Sequence, residues 1–303
     1  MNAAVLLMAY GTPNSLNDIE PYLTDIRGGR KPRPEVVEDL KGRYLRIGGR
    51  SPLLEITKAQ AQALEKQLNS GGLKTRVYIG MKHWHPYIRE VIPQIVGDGY
   101  HRIISIVLAP HYSHMSIGGY KRALEVAVTG GVELDFVESW YNHPMFHRAV
   151  QEKIQKGLSQ FASPEKVHLL FTAHSLPEHI LAENDPYPAQ LESSCRSVAA
   201  LMGRKVWSFA YQSAGQTDDK WLGPDLLDYL RERQFPSGVA DVLVVPIGFV
   251  ADHLEILFDL DVEAQEFARS IGVNLKRTES LNDSPTFISA LADIVRKRAG
   301  SSV

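Results

Sequence analysis

Eight short strand-like runs, most of them apolar, each separated from the next by a helix-spaced segment, constrain this chain more than any other feature. They are Ala3–Ala9, Thr75–Met81, Arg102–Ala109 and Glu133–Ser139 in the first half, then Val167–Ala173, Val206–Tyr211, Asp241–Val245 and Asn274–Glu279 in the second. Near-continuous apolar runs of this length are what strands buried on both faces require. The clearest helical segments between them are Pro34–Arg46, Leu54–Leu68, Pro86–Val96, Gly118–Ala127, Pro144–Leu158, Pro188–Leu201 and Asp283–Lys297. Several open on a Pro near the first turn, where its missing N–H costs nothing. Alternation of this kind predicts a parallel α/β architecture. At 303 residues the chain is long for one core. The expectation is two domains, 1–140 and 141–303, each a four-stranded parallel sheet flanked by helices. The C-terminal helix is a candidate to pack back on the first of them.

The two halves echo each other faintly. VLLMAYGTP (Val5–Pro13) and HLLFTAHSLP (His168–Pro177) both end an apolar strand in Ala, follow it with a ring-bearing polar residue, and reach Pro three places later. Tyr10 and His174 hold the matching position; duplication and convergent strand-end chemistry both explain this. Open parallel sheets bind ligands beyond the carboxyl ends of their strands. The chemically notable residues fall there: Tyr10, Lys82 to His85, His111 to His114, His174-Ser175, Gln212-Ser213 and Asp252 to Glu255.

Composition closes off other classes. A net charge of −2 argues against a general nucleic-acid binder. A lone Cys195 excludes a disulfide framework and any cysteine-rich metal site. No apolar run approaches the roughly 20 residues that span a bilayer. The first run ends in Tyr-Gly-Thr-Pro and lacks a basic leader, so it reads as a strand rather than a signal peptide. The expectation is a cytoplasmic protein without an integral membrane segment. The amphipathic segment Phe287–Ala299, with Arg296, Lys297 and Arg298, fits a helix on a membrane surface or, more simply, one packed on the core. No GxGxxG follows the first strand and no GxxxxGK[ST] occurs, which excludes dinucleotide and P-loop binding.

The stretch Val242–Glu263 carries the densest chemistry. A strand ends at Pro246 and Gly248, and from Asp252 the spacing predicts a helix with Leu254, Leu257, Phe258 and Val262 on one side. Glu255, Asp259 and Glu263 recur every four residues, about 400° of rotation in an α-helix, and so form a slowly drifting ladder. Like charges stacked this way repel; they are either solvated or hold a cation. Asp252-x-x-Glu255 also has capping-box spacing. His174, between small Ala173 and Ser175, has room to face a ligand. An imidazole and a carboxylate from two strand ends suit a borderline divalent metal such as Fe(II), Zn(II) or Co(II) better than Mg(II), though two donors are too few for a tight structural site. His83, His85, His111 and His114 have no accompanying zinc motif, so surface or core roles are simpler. Arg27, Arg30, Lys31, Arg43, Arg46 and Arg50 flank two Gly-Gly loops and could pair with ligand carboxylates; most loop arginines are simply solvated.

Six motifs together resemble the ferrochelatase family, most of all its short, monomeric type acting on coproporphyrin III. They are MAYGTP (Met8–Pro13), GGRSPL (Gly48–Leu53), TAHSLP (Thr172–Pro177), DPYPAQ (Asp185–Gln190), YQSAGQTDDKWLGPD (Tyr211–Asp225) and PIGFVADHLEILFDLDVE (Pro246–Glu263), in order over nearly the whole chain. The resemblance implies two Rossmann-like halves, the chelatase fold, with the porphyrin in the cleft between them. It implies His174 and Glu255 as the catalytic pair handling Fe(II) and the pyrrole protons. It implies Asp259 and Glu263 as outer steps of the acidic ladder, resembling with Arg43 a second, hydrated-metal site for which Mg(II) or another divalent ion is a candidate. Tyr10 matches the residue facing the opposite side of the ring, a ligand to iron in the product of coproporphyrin-type members. Arg27, Arg43, Tyr44, Ser51 and Tyr120 match positions holding the porphyrin and its propionates, while Gly28 departs from a second Arg found in similar proteins. No tightly bound cofactor is implied; Fe(II) and coproporphyrin III are the substrates. Protoporphyrin IX as substrate and a non-catalytic haem or metal carrier are the alternatives.

Metallation must remove two pyrrole protons and strip water from the ion. Bending the macrocycle exposes the nitrogen lone pairs at the expense of remote binding energy. In this reading a neutral His174 accepts a proton near neutral pH, and Glu255, among other carboxylates, is raised toward the working range as a relay.

Overall fold

The computed structural model describes residues 3–300 except 129, 216, 233, 234 and 237; Gln216, inside the Tyr211–Asp225 motif, thus lies outside the described residues. The first sheet is built of β1 (Ala4–Ala9), β2 (Val77–Met81), β3 (Arg102–Val107) and β4 (Glu133–Val137), all parallel, in the order β2-β1-β3-β4. Its helices are α1 (Ile19–Ile26), α2 (Pro34–Arg46), α3 (Leu53–Ser70), α4 (Ile88–Gly97) and α5 (Ile117–Ala127). Every residue of β1 is buried, as a central strand covered on both faces must be. Leu6 and Met8 pack in a core with Ile88, Ile92, Ile103 and Leu124.

The second sheet repeats the arrangement. β5 (His168–His174), β6 (Ser208–Gln212), β7 (Asp241–Val245) and β8 (Asn274–Arg277) are parallel in the order β6-β5-β7-β8. α6 (Pro144–Leu158), α7 (Tyr187–Leu201), α8 (Leu226–Arg231), a π-helix (Glu255–Ala264) and the short α9 (Gln265–Ser270) accompany it, and α10 (Pro285–Arg298) closes the chain. Pro34, Pro144 and Pro285 stand at helix starts, as their missing donor favours.

By packing, one compact unit comprises Met1–Trp140, Ala251–His253 and Asn282–Val303, the other Tyr141–Val250 and Leu254–Leu281. A second domain running unbroken from 141 to 303 is therefore corrected: α10 belongs with the first sheet. It lies on α3, where Gln67 donates to Ser289 Oγ at 2.9 Å and Arg296 to the Gln67 carbonyl at 3.0 Å. Its apolar face (Phe287, Ile288, Leu291, Val295) is buried. Lys297 pairs with Asp293 at 2.7 Å and Arg298 with Asp135 at 3.0 Å. Core packing, not a membrane surface, thus accounts for the amphipathic pattern. Among the described residues no helix is long and apolar enough to cross a membrane.

The helix after β7 departs most from expectation. Its Glu255–Ala264 segment is a π-helix, in which i→i+5 bonding puts more than four residues in each turn. The buried apolar side chains are Ile256, Leu260 and Ala264, each 0% exposed, not the Leu254, Leu257, Phe258 and Val262 that α spacing selects. They recur every four residues and pack on Leu170, Val242 and Val244. Substitutions separate the two helix types. Leu260→Ala should cost about 2–5 kcal/mol, the range for large-to-small changes in a core, and Val262→Ala about 1 kcal/mol or less, both read from urea unfolding midpoints.

Candidate functional site

In the second sheet the chain runs from β5 to one side (β6) and then to the other (β7), so the order reverses between β5 and β7. A crevice outside such a switch point is where open α/β sheets bind ligands. His174 is the last residue of β5, and the helix after β7 begins with Glu255. The turn between β7 and that helix lies against the end of β5, with the Gly248 N–H donating to the Thr172 carbonyl at 3.2 Å. A β-carbon on Gly248 would come within 2.6 Å of Ala173 Cβ and 2.9 Å of its Cα, so this approach needs glycine.

His174 Nε2 stands 3.5 Å from Glu255 Oε1, both side chains about one-third exposed (33% and 35%). The other ring nitrogen, Nδ1, donates to the Ser175 carbonyl, which fixes Nε2 as the nitrogen presented to Glu255. Burial lowers the pKa of His174, but the charge and hydrogen bond of Glu255, the Ser175 carbonyl and the charge of Asp259 outweigh it and raise it to about 9. The imidazole is thus a cation at neutral pH, which corrects the expectation of a free base: with a carboxylate beside it, the protonated form is favoured. Trp221 and Phe249 stand beside the ring, each 6.5 Å away centroid to centroid.

Asp259 is buried, with Ser213 Oγ donating to its Oδ2, and Glu263 is exposed. The acidic row therefore passes from a half-buried to a buried to a solvated carboxylate. Among the described residues no group of three or more His, Cys, Asp or Glu is arranged to hold a metal ion, so these donors do not form a closed cage. Asp252, which precedes the helix, is tied to Asn282. Its carboxylate accepts from Asn282 Nδ2 at 2.9 Å and its N–H donates to Asn282 Oδ1 at 3.0 Å, while the helix start at Leu254 has no side-chain cap.

The remaining residues singled out in the sequence lie in the first unit. Tyr10 follows β1 and is 44% exposed, its ring 4.6 Å from that of His83. His83 Nδ1 is bonded to Asp25 at 2.9 Å, and burial lowers its pKa against the opposing pull of that bond. Tyr120, buried in α5, has its hydroxyl pKa raised, chiefly by burial and also by Tyr10. Tyr44 is buried and shares a 2.8 Å hydrogen bond with Thr12. Ser51 is buried and accepts from the Leu53 N–H at 3.3 Å. Arg27 is exposed at the end of α1. Arg43 pairs with Asp39 at 3.1 Å along α2.

The ferrochelatase family model matches residues 2–299. The chain belongs to the ferrochelatase family. It is 44% identical over 304 residues to the coproporphyrin III ferrochelatase of Oceanobacillus iheyensis, covering 99% of this chain and 97% of that one. It is 43% identical over 302 residues to the coproporphyrin III ferrochelatase of Bacillus subtilis (98% and 97%). A protein named ferrochelatase from Herpetosiphon aurantiacus is 44% identical over 298 residues (96% and 97%). The fold also matches the sirohydrochlorin chelatase SirB of Bacillus subtilis subspecies spizizenii in complex with cobalt, with a TM-score of 0.57 at 11% identity over 99% of this chain and 96% of that one.

In this ferrochelatase family member, the residues that hold the pair were only partly legible. Thr172 Oγ1 donates to Gln212 Oε1 at 2.8 Å, and Gln212 Nε2 lies 3.4 Å from both the Glu255 carbonyl and Ser213 Oγ. Tyr187 donates to the His174 carbonyl at 2.9 Å. The DPYPAQ and YQSAG motifs contain Tyr187, Gln212 and Ser213, but nothing in their spacing says what they bond. The charge state is directly measurable. An NMR titration of the His174 ring in the ligand-free protein should show a midpoint near 9. In Glu255→Gln it should fall well below that, because burial is then opposed only by Ser175 and Asp259. The raised pKa also means that this pair's contribution to stability is full below the unfolded value of about 6.5 and is lost as pH rises through about 9.

Proposed function

We propose that this chain inserts Fe(II) into coproporphyrin III, releasing two pyrrole protons, as a step of haem biosynthesis. The observation that carries the reading is the His174–Glu255 pair, 3.5 Å apart at the switch point of the second sheet. Its resting form holds one proton between an imidazole and a carboxylate and has no net charge. An arriving dication finds two donors of suitable type and must displace that proton, since a metal-ligating nitrogen has to be neutral. Once the ion has passed into the macrocycle, the same two groups are free to take up protons from the pyrroles. Glu263, exposed, and Asp259, buried, then serve as the outer and inner steps by which the ion sheds water, with Mg(II) a second candidate occupant there. Exposed Tyr10 is read as the ligand on the product's iron. Names of relatives sharing 42–44% of their residues support coproporphyrin III as the substrate. The reading includes action as a cytoplasmic monomer.

The test is anaerobic incubation with Fe(II) and either coproporphyrin III or protoporphyrin IX, followed through the absorption bands. Coproporphyrin III should react faster by about tenfold or more, roughly 1.4 kcal/mol in barrier. His174→Ala should lower insertion by about 100-fold or more while coproporphyrin affinity stays within about twofold. A variant that metallates at the parent rate removes His174 from the chemistry. Because the metal displaces a proton, the apparent KM for Zn(II), a substitute that air does not oxidise, should fall as pH rises toward about 9. A flat profile would sink the displacement step.

A further inference from the structure

A second tie joins the π-helix to the second sheet, on the flank away from the acidic row. At more than four residues per turn, each residue steps round the axis by a little under about 90°. Glu255, Asp259 and Glu263 therefore lie one step to one side of the buried row Ile256, Leu260 and Ala264, and Asp261 lies one step to the other. Arg277 ends β8 and shares a face of that strand with Leu275, two residues earlier, which belongs to the same core as the buried row. Its Nε donates to Asp261 Oδ1 at 2.6 Å and its Nη2 to Oδ2 at 2.8 Å, while Nη1 donates to the Thr278 carbonyl at 3.0 Å. Thr278 is itself held to the sheet, its N–H donating to the Val244 carbonyl at 2.9 Å. The Arg277 side chain is 13% exposed and that of Asp261 32%. The fork is bidentate, largely out of water, and braced against the strand at its base.

The two ties differ in kind. Apolar burial is non-directional, so a helix lying on Leu170, Val242 and Val244 keeps most of its buried area when it rolls by a fraction of a step. A guanidinium–carboxylate fork fixes both distance and plane. A roll in either direction pulls Asp261 out of register with Arg277. The same roll carries Glu255 and Asp259, on the opposite flank, toward or away from His174, whose Nε2 stands 3.5 Å from Glu255. We propose that Arg277, acting through Asp261, is a positioning residue that fixes the rotation of the π-helix and with it the placement of Glu255 and Asp259 opposite His174. Its part in metal insertion rests on the function proposed above; the rotation can be read without a metal.

The test compares metal and porphyrin on the same variants. With Zn(II) and coproporphyrin III, Arg277→Met should raise the apparent KM for the metal by about tenfold, while the coproporphyrin Kd from fluorescence titration stays within about twofold of the parent's. Arg277→Lys, which keeps the charge and loses the fork, should raise that KM by about threefold. Asp261→Asn, alone and combined with Arg277→Met, should match Arg277→Met within about twofold, because the pair acts as one unit. In the ligand-free protein at neutral pH, the His174 ring nitrogen resonances should move in each of these variants. Lys276→Met is the control for lost packing: it removes a 2.7 Å contact to the Gln160 carbonyl from the other face of β8 and should leave the KM and the His174 resonances at parent values. A metal KM within about twofold of the parent's in both Arg277 variants overturns the inference. So does a coproporphyrin Kd that rises as much as the metal KM, which marks general loosening. If Arg277→Met does not fold, Arg277→Lys and Asp261→Asn decide by the same criteria. A parent protein that inserts no metal removes the proposed function, and the His174 resonances then decide the positioning alone. Unmoved resonances beside a metallating parent remove the positioning role and leave the function standing.

Discussion

Glu255 faces His174 because the helix that carries it is set against the second sheet by an apolar row of four-residue period. Two rows with that period run side by side along it: Ile256, Leu260 and Ala264, and one residue earlier Glu255, Asp259 and Glu263. The apolar row is fully buried against β7 and its neighbours. Sheet contact fixes the rotation of the helix, and the adjacent acidic row inherits that setting for two successive turns. The hydrophobic effect on one row thus supplies the energy that keeps repelling carboxylates aligned on the other. π-helical turns are rare and concentrate at functional sites.

That alignment sets the charge of the site. His174 is buried enough for its cation to be penalised, yet Glu255 and Asp259 reverse the sign of the shift. A single carboxylate at 3.5 Å would leave a simple ion pair. The buried Asp259, held by Ser213, adds a second negative field that only a dication can fully satisfy. The resting proton is therefore a placeholder of the right sign and insufficient magnitude. On the function proposed above, one pair of side chains can thus first receive a metal and later receive protons.

How much of this could be read from the residues depends on the range of the interactions involved. The strands were legible because an apolar run has few other uses; observed ends fall within two residues of the expected ones for all eight runs. Their carboxyl ends were legible as a site for the same reason. α1 and α8 were not, being 8 and 6 residues long and too short for a period to register. The helix type was misjudged because apolar residues at 254, 257, 258 and 262 satisfy α spacing in the sequence, and only the sheet decides which row it covers. Asn282, 30 residues on, bonds the Asp252 carboxylate at 2.9 Å, a partner that no local spacing announces. The protonation of His174 needs distances, and no motif contains those.

The repeated strand order makes a last point about charge. Each unit uses the same order of four parallel strands and places a ring-bearing residue at the end of its central first strand, Tyr10 in one and His174 in the other. Around His174 the neighbours are carboxylates, Glu255 and Asp259. Around Tyr10 they are nitrogenous, with the His83 ring at 4.6 Å and the Lys82 ammonium at 6.0 Å. The topology fixes where a ligand can be met, but it is indifferent to sign; the residues following the neighbouring strands choose it. A negative field suits a divalent cation, a positive one suits the carboxylates of an organic anion. A reaction that joins a metal dication to a polycarboxylate macrocycle needs both, and two copies of one fold with opposite local charge are a sufficient way to supply them.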